Sequence, residues 1–190
     1  TISRDIPPAL AVINPKRHDC SAGLQNLAGV GVAFFLLISL RTRLREAGYW
    51  GARPEPNLKE YCDLVALGTV ADMVPLIGEN RILSKTGLEL IRAGHRPGMT
   101  ALLEASAIQD RSLNADDIAF RLAPRLNAAG RMDHAAQAVN LLIAQDAAAA
   151  AHMARTLNLL NRKRQDLEKG ILDDIQRFID LNPSLLRRRS

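Results

Sequence analysis

The amino-acid sequence predicts a mainly α-helical chain with one N-terminal strand, and three observations lead to it. Apolar residues recur at helical spacing in segments punctuated by Gly and Pro. Only one short apolar run, Ala9 to Ile13, has the bounds of a strand. The segment from Asp146 to Leu181 is rich in alanine, with leucines and charges at helical spacing. At 190 residues and 47% hydrophobic composition, the chain can bury one real core or two small ones.

Taken in order, Ala9 to Ile13 lies between Pro7-Pro8 and Asn14-Pro15 and reads as the strand. A single strand leaves its backbone groups unpaired, so it belongs at a free edge or in a sheet whose other strands lie outside this sequence. Leu27 to Glu46 reads as a helix capped by Gln25 or Asn26 and closed at Gly48, with basic residues in its last turns as the helix dipole favours. Its apolar part, Leu27 to Leu40, is too short to span a bilayer and runs straight into Arg41, Arg43 and Arg45, which predicts a buried helix and no membrane partner.

The Pro-rich "RPEP" then leads to a helix capped by Asn57 that must end near Val74, because Pro75 cannot continue it. "NRILSKTGLELIRAG" is a helix closed by Gly94, and a short "MTALLEAS" follows Pro97-Gly98. "NADDIAFRLAP" takes Asn114 as its cap and Pro124 as its breaker. Asp146 to Leu181 is a single long helix, either a bundle element or a spacer, and Asn182-Pro183 marks its end.

Twenty-five basic against 20 acidic residues give a net charge of +5, compatible with an anionic partner without requiring one. Arg187 to Arg189 read as a solvated tail. Cys20 and Cys62 have no C-x-x-C companion, which argues against a disulfide framework or metal knuckle and fits a reducing cytosol. No basic region followed by a cleavable apolar core opens the chain, so a cytoplasmic location is expected. Aromatic residues are only 4% of the composition, and Phe34, Phe35, Tyr61 and Phe120 are assigned to the core. Tyr49 and Trp50, after Gly48, are the remaining stacking candidates, with interface packing as the plainer role. His18 beside Asp19 and Cys20 is assigned to a surface loop, and His95, His134 and His152 are isolated. Gly29 and Gly31 lack the full G-x-G-x-x-G of a dinucleotide loop.

The stretch "DLVALGTVADMVPL" holds two carboxylates, Asp63 and Asp72, too far apart around a helix to act as a pair. Asp63 is expected to point to solvent. Asp72, flanked by apolar residues in the last helical turn, sits where unpaired carbonyls disfavour an anion and so calls for a cation: Arg81, another guanidinium, or a metal ion. A second constellation, "FRLAPRLNAAGRMDH", brings Arg121, Arg125 and Arg131 beside Asn127, with Ala128-Ala129-Gly130 permitting close approach. Arginine forks suit phosphate oxygens and Asn127 can bond sugar or phosphate; the alternative is a packing corner stitched to Asp116, Asp117 or Asp133.

"LAGVGVAFFLL", "DLVALGTVADMVPL", "NRILSKTGLELIRAG", "RPGMTALL" and "IAFRLAPRLNAAGRM" together resemble, in order and spacing, the RecJ exonucleases of the DHH phosphoesterase superfamily. The resemblance covers nearly the whole chain. It implies part of a metal-dependent 5′-to-3′ exonuclease acting on single-stranded DNA in repair and recombination, with single-strand-binding protein or a helicase as further partners. It implies two Mn2+ or Mg2+ ions held by aspartates and histidines, hard oxygen ligands that suit such ions. Asp72 matches the aspartate of the family's fourth motif, a metal ligand and catalytic residue, and Arg125, Asn127 and Arg131 are similar to the family's phosphate-contacting connector. It further implies that the strand is left over from an α/β DHH domain, with 1–95 the C-terminal part of that domain, 96–145 a helical connector, and 146–190 a long interdomain helix and tail. The chain departs from the family pattern in having no Asp-His-His, no Asp-x-Asp and no Gly-Gly-Gly-His. One family aspartate cannot supply the roughly six donors each ion takes. A middle fragment without activity of its own is therefore expected. A non-catalytic helical module that binds nucleic acid or a protein partner is the alternative.

Overall fold

The computed structural model describes residues 8–108, 113–132 and 134–182. They form helices α1 (Gly29–Glu46), α2 (Cys62–Ala71), α3 (Gly78–Ala93), α4 (Pro97–Ala105), the single turn α5 (Ala115–Asp117), α6 (Ala123–Met132), α7 (Ala136–Ile143) and α8 (Ala147–Leu181). A 3-10 turn at Leu58–Tyr61 leads into α2, and a π-helical turn at Ile118–Leu122 joins α5 to α6. The strand expected at Ala9 to Ile13 is not formed, and no strand occurs among the described residues. Leu10 and Ile13 are exposed there; with no neighbouring edge to pair with, the backbone gains nothing from a ladder.

The contacts divide the chain into two compact units, residues 1–95 with 110–123, and residues 96–109 with 124–190. In the first, Phe34, Leu58, Cys62 and Val65 form a buried cluster that Val30, Ile38, Leu83 and Leu90 flank. Helix α2 is covered from two sides. A methyl on Gly68 would lie 2.8 Å from Val30 of α1, and one on Gly87 of α3 would lie 2.1 Å from the Cys62 carbonyl oxygen. Only residues without a side chain let the helix axes come this close. Gly94 closes α3 in the left-handed conformation with φ 70°, the role assigned to it from the sequence.

Helix α2 stops at Ala71 rather than at Val74. Asp72 is its C-cap and Met73, at φ 54°, turns the chain out of the helix ahead of Pro75. Pro124 does not break the helix as expected. The run from Ala115 to Met132 is continuous because the Ala123 amide bonds back to the Ile118 carbonyl. That wider turn relieves the clash a proline ring makes with the carbonyl four residues before it. Phe120 also departs from its core assignment: Ile118 and Leu122 take the buried face, so the residue midway between them points outward. Tyr61 is likewise exposed, since Leu58, Cys62 and Val65 occupy the inner face.

In the second unit α4, α7 and α8 pack on one another around Met99, Leu102, Leu141, Ala150, Ala154 and Leu157. Asp146 caps α8, its carboxylate accepting the Ala149 amide at 2.7 Å. The buried face of α8 runs Ala150, Ala154, Leu157, Asn161 and goes no further. Beyond it Leu167, Ile171, Ile175 and Phe178 are exposed.

Candidate metal and nucleic-acid site residues

Helix α2 is apolar on every side and nearly all of it is buried, so the two carboxylates at its ends meet very different surroundings. Asp63 is 4% exposed. Its expected solvent position is therefore overturned: with α1 and α3 covering α2, no face of the helix is left for a polar residue. Its carboxylate accepts the Leu64 amide at 2.7 Å, which gives the buried charge local hydrogen bonding.

Asp72 is exposed, as are Met73 and Arg81. Its own amide bonds the Gly68 and Val70 carbonyls at the helix end, while its side chain has no hydrogen bond or ion pair among the described residues. Among the described residues neither Arg81 nor any other guanidinium pairs with it. Water solvates an exposed anion well enough that the neighbouring helix carbonyls cost little. The connector carrying Asp72 into α3 is held by Asn80, which is 1% exposed and whose Nδ2 donates to the Pro75 carbonyl at 2.9 Å and the Asn26 carbonyl at 2.7 Å. Asn80 was not among the residues singled out from the sequence, because its role depends on the Asn26 and Pro75 carbonyls that the fold brings to it.

No group of three or more His, Cys, Asp or Glu side chains converges as a metal site among the described residues. His18 lies in an exposed loop, where Arg17 pairs with Asp19 through two hydrogen bonds, one of them at 2.8 Å. That pairing holds the Asp19 carboxyl down at about 2. Cys20 and Cys62 are free thiols. Burial pushes the Cys62 thiol up, with the charge of Asp63 adding to it and Lys59 opposing. Tyr49 and Trp50 meet edge to face at 5.1 Å, Arg53 stacks over the Tyr49 ring at 5.0 Å, and the Trp50 indole donates to the Arg41 carbonyl, so these rings close the turn after α1.

In the second unit α6 presents Arg125, Asn127 and Arg131. Arg125 donates through Nε to Asn158 of α8 at 2.9 Å, bracing the two helices. Asn127 and Arg131 are exposed and line a cleft of about 170 Å3 together with Pro124 and Arg164 of α8. Ala128 and Ala129 are fully buried between them. Of the four residues singled out from the sequence, the structure brings Asn127 and Arg131 into one cleft, ties Arg125 to α8, and carries Asp72 in the other unit. In the first unit Arg121 pairs with Asp117 at 3.1 Å, one of the stitches the packing alternative anticipated; Asp133 lies outside the described residues.

No family model matches the chain. It is 51% identical over 169 residues to the single-stranded-DNA-specific exonuclease RecJ of Dickeya dadantii, covering 87% of this chain and 29% of that protein. It is 48% identical to the Escherichia coli protein of the same name over the same shares. Among solved structures it is similar to RecJ from Thermus thermophilus in complex with Mn2+, at 40% identity and TM-score 0.75, covering 92% of this chain and 24% of that one. The chain thus spans less than a third of the length of these curated relatives.

Proposed function

From the homology of this chain to the RecJ single-stranded-DNA-specific exonucleases across 87% of its residues, we propose that it is part of a metal-dependent 5′-to-3′ exonuclease of the cytoplasm acting on single-stranded DNA. The observation that carries this is the 51% identity, together with the likeness to a RecJ structure holding manganese. We further propose that residues 1–95 close a catalytic DHH domain, 96–145 form a connector, and 146–190 lead toward a further domain. The exposed apolar residues on the second half of α8 suit such a lead.

Asp72 is the residue we assign to a Mn2+ or Mg2+ pair. It fits as one donor: a hard oxygen ligand, solvent-facing, and not engaged by any cation among the described residues. Bound divalent ions supply an activated water and stabilise the leaving oxygen in phosphodiester hydrolysis. The chain's own contribution is to present the Asp72 carboxylate at a helix end whose outgoing connector Asn80 pins, and to grip the strand through Arg125, Asn127 and Arg131. One aspartate does not complete a two-ion centre, so the chain alone should lack turnover. Single-strand-binding protein or a helicase would act on the complete enzyme.

The test is nucleotide release from 5′-phosphorylated single strands with Mn2+. The complete protein should turn over, Asp72→Ala in it should abolish turnover while sparing strand binding, and this chain by itself should release nothing. Robust release by the isolated chain would refute the assignment. A non-catalytic module that binds nucleic acid is the second reading, favoured by the arginine-lined cleft on the second unit; an inactive complete protein that still binds single strands would select it.

A further inference from the structure

The cleft beside α6 contains one residue that neither the sequence motif nor the comparisons single out. Arg164 stands on α8, its side chain only 20% exposed. Its Nε and Nη2 both donate to Asn161 Oδ1, at 3.3 and 3.1 Å, and its Nη1 donates to Glu168 at 2.5 Å. Asn161 is itself 2% exposed and sits at the end of the buried α8 face. A guanidinium held on two sides has lost most of its rotamer freedom before any ligand arrives, and it still has N–H groups to spare.

Pro124, Asn127 and Arg131 form the other lining of the same cleft. The opening of about 170 Å3 faces solvent with two guanidinium groups and one carboxamide on it. Among the described residues Glu168 is the carboxylate paired with these groups, and one carboxylate against two guanidinium groups leaves them net positive there. Planar forks and an amide donor converging on a small recess are the chemistry that recognises a phosphate group.

We propose that Asn127, Arg131 and Arg164 form a phosphate seat, with Arg164 as its preorganised member and Glu168 as a counter-charge that tempers its affinity. The ligand is a phosphate of single-stranded nucleic acid, and only this choice of ligand rests on the exonuclease reading. Arg125, which braces α6 against α8, positions the seat.

The experiment measures binding of this chain to a fluorescent oligo-dT by anisotropy across a salt series, using strands with a 5′-phosphate and with a 5′-hydroxyl. Arg164→Met should weaken binding by about tenfold at low salt and reduce the slope of log K against log salt by about 0.7, the loss of one contact to a single strand. Glu168→Gln should strengthen binding about threefold, a gain that misfolding cannot produce. The exposed neighbour Arg162, changed to Met, should cost markedly less than Arg164→Met. An effect confined to the 5′-phosphorylated strand identifies the terminal phosphate as the ligand, and an equal effect on both identifies an internal phosphodiester. Arg164→Met binding like the unaltered chain, with the same slope, overturns the seat while leaving the exonuclease reading intact. So does a Glu168→Gln chain that binds no tighter. An unaltered chain that ignores both strands at low salt overturns the seat and the carried-over roles of Arg125, Asn127 and Arg131 together.

Discussion

Replacing Gly87 by alanine perturbs the contact that seats α2. The added methyl would lie 2.1 Å from the Cys62 carbonyl oxygen and 2.3 Å from the Ala66 Cβ. Ordinary carbon contacts begin near ~3.5 Å, so the methyl falls about 1.4 Å short of room. Both obstacles are helix atoms without a flexible end to swing away, and α3 must therefore lift from α2. Overpacking of this kind costs about 3 kcal/mol at the upper end of its usual range. Alanine returns about 1 kcal/mol through its better helix propensity, leaving a net loss of about 2 kcal/mol. For a chain of this size that lowers the melting temperature by about 4–8 °C. Circular dichroism melts measure it directly. Gly170 on α8, where a methyl meets nothing within 4 Å, is the control; its alanine variant should gain up to about 1 kcal/mol. A Gly87→Ala protein melting at or above the unaltered one, while Gly170→Ala behaves as expected, would mean that α2 and α3 do not meet as described.

Gly98→Ala should destabilise the second unit by a similar amount, because its methyl would stand 1.9 Å from the Leu141 carbonyl oxygen; a melt unchanged by this substitution would contradict the α4–α7 contact. Of the two thiols, Cys20 should react with a disulfide reagent at once and Cys62 only on unfolding, since Cys62 is buried and its thiol is pushed up by that burial; two equally fast thiols in the native protein would refute the packing of α2. The Asp19 carboxyl should titrate at about 2 by NMR, and Arg17→Met should return it toward the ordinary aspartate range. The folded-state value lies below the unfolded one, so the interaction's contribution to stability is present above the unfolded pKa and disappears as pH falls through about 2.

Several helix boundaries marked by residue chemistry were legible before any coordinates, although neither Gln25 nor Asn26 caps α1, which begins at Gly29 after Ala28 with no side-chain cap. Gly94 closes α3 in the left-handed conformation, Asn114 caps its helix by accepting the Asp117 amide at 3.1 Å, and the long helix α8 starts directly after Asp146, where it was expected to begin. Each of these acts through its own backbone within a few residues, so local sequence carries the information. What depended on neighbours distant in the chain was not legible. Asp63 looked like a surface residue next to Lys59 and Glu60, yet a helix with no polar face has nowhere to expose it once α1 and α3 arrive. Pro124 looked like a breaker because the i→i+5 turn ahead of it leaves no trace in the pattern of residue types. Asn127 and Arg131 were singled out within one segment together with Arg121 and Arg125, while Arg164 joins them only through the packing of α8 against the rest of the second unit.

The same distinction bears on which carboxylate of α2 can serve an ion. A metal ligand must be reachable and must not already spend its oxygens on a fixed partner, since displacing a partner subtracts from the binding energy. Asp63 fails on both counts, buried and bonded to the Leu64 amide. Asp72 meets both, being exposed with no side-chain partner among the described residues. Reachability alone would leave it loosely aimed, but the backbone around it is constrained from two directions. Its amide is tied into the last turn of α2, and the outgoing connector is anchored at Pro75 by a buried asparagine that also holds Asn26. Met73 between these anchors adopts a left-handed conformation that a non-glycine residue holds at a cost of about 1–2 kcal/mol, a strain that persists only where surrounding contacts enforce it. A carboxylate free at its tip and fixed at its base is the arrangement that preorganised coordination requires, and this is the physical support for assigning the ion to Asp72 rather than to its neighbour at the other end of the helix.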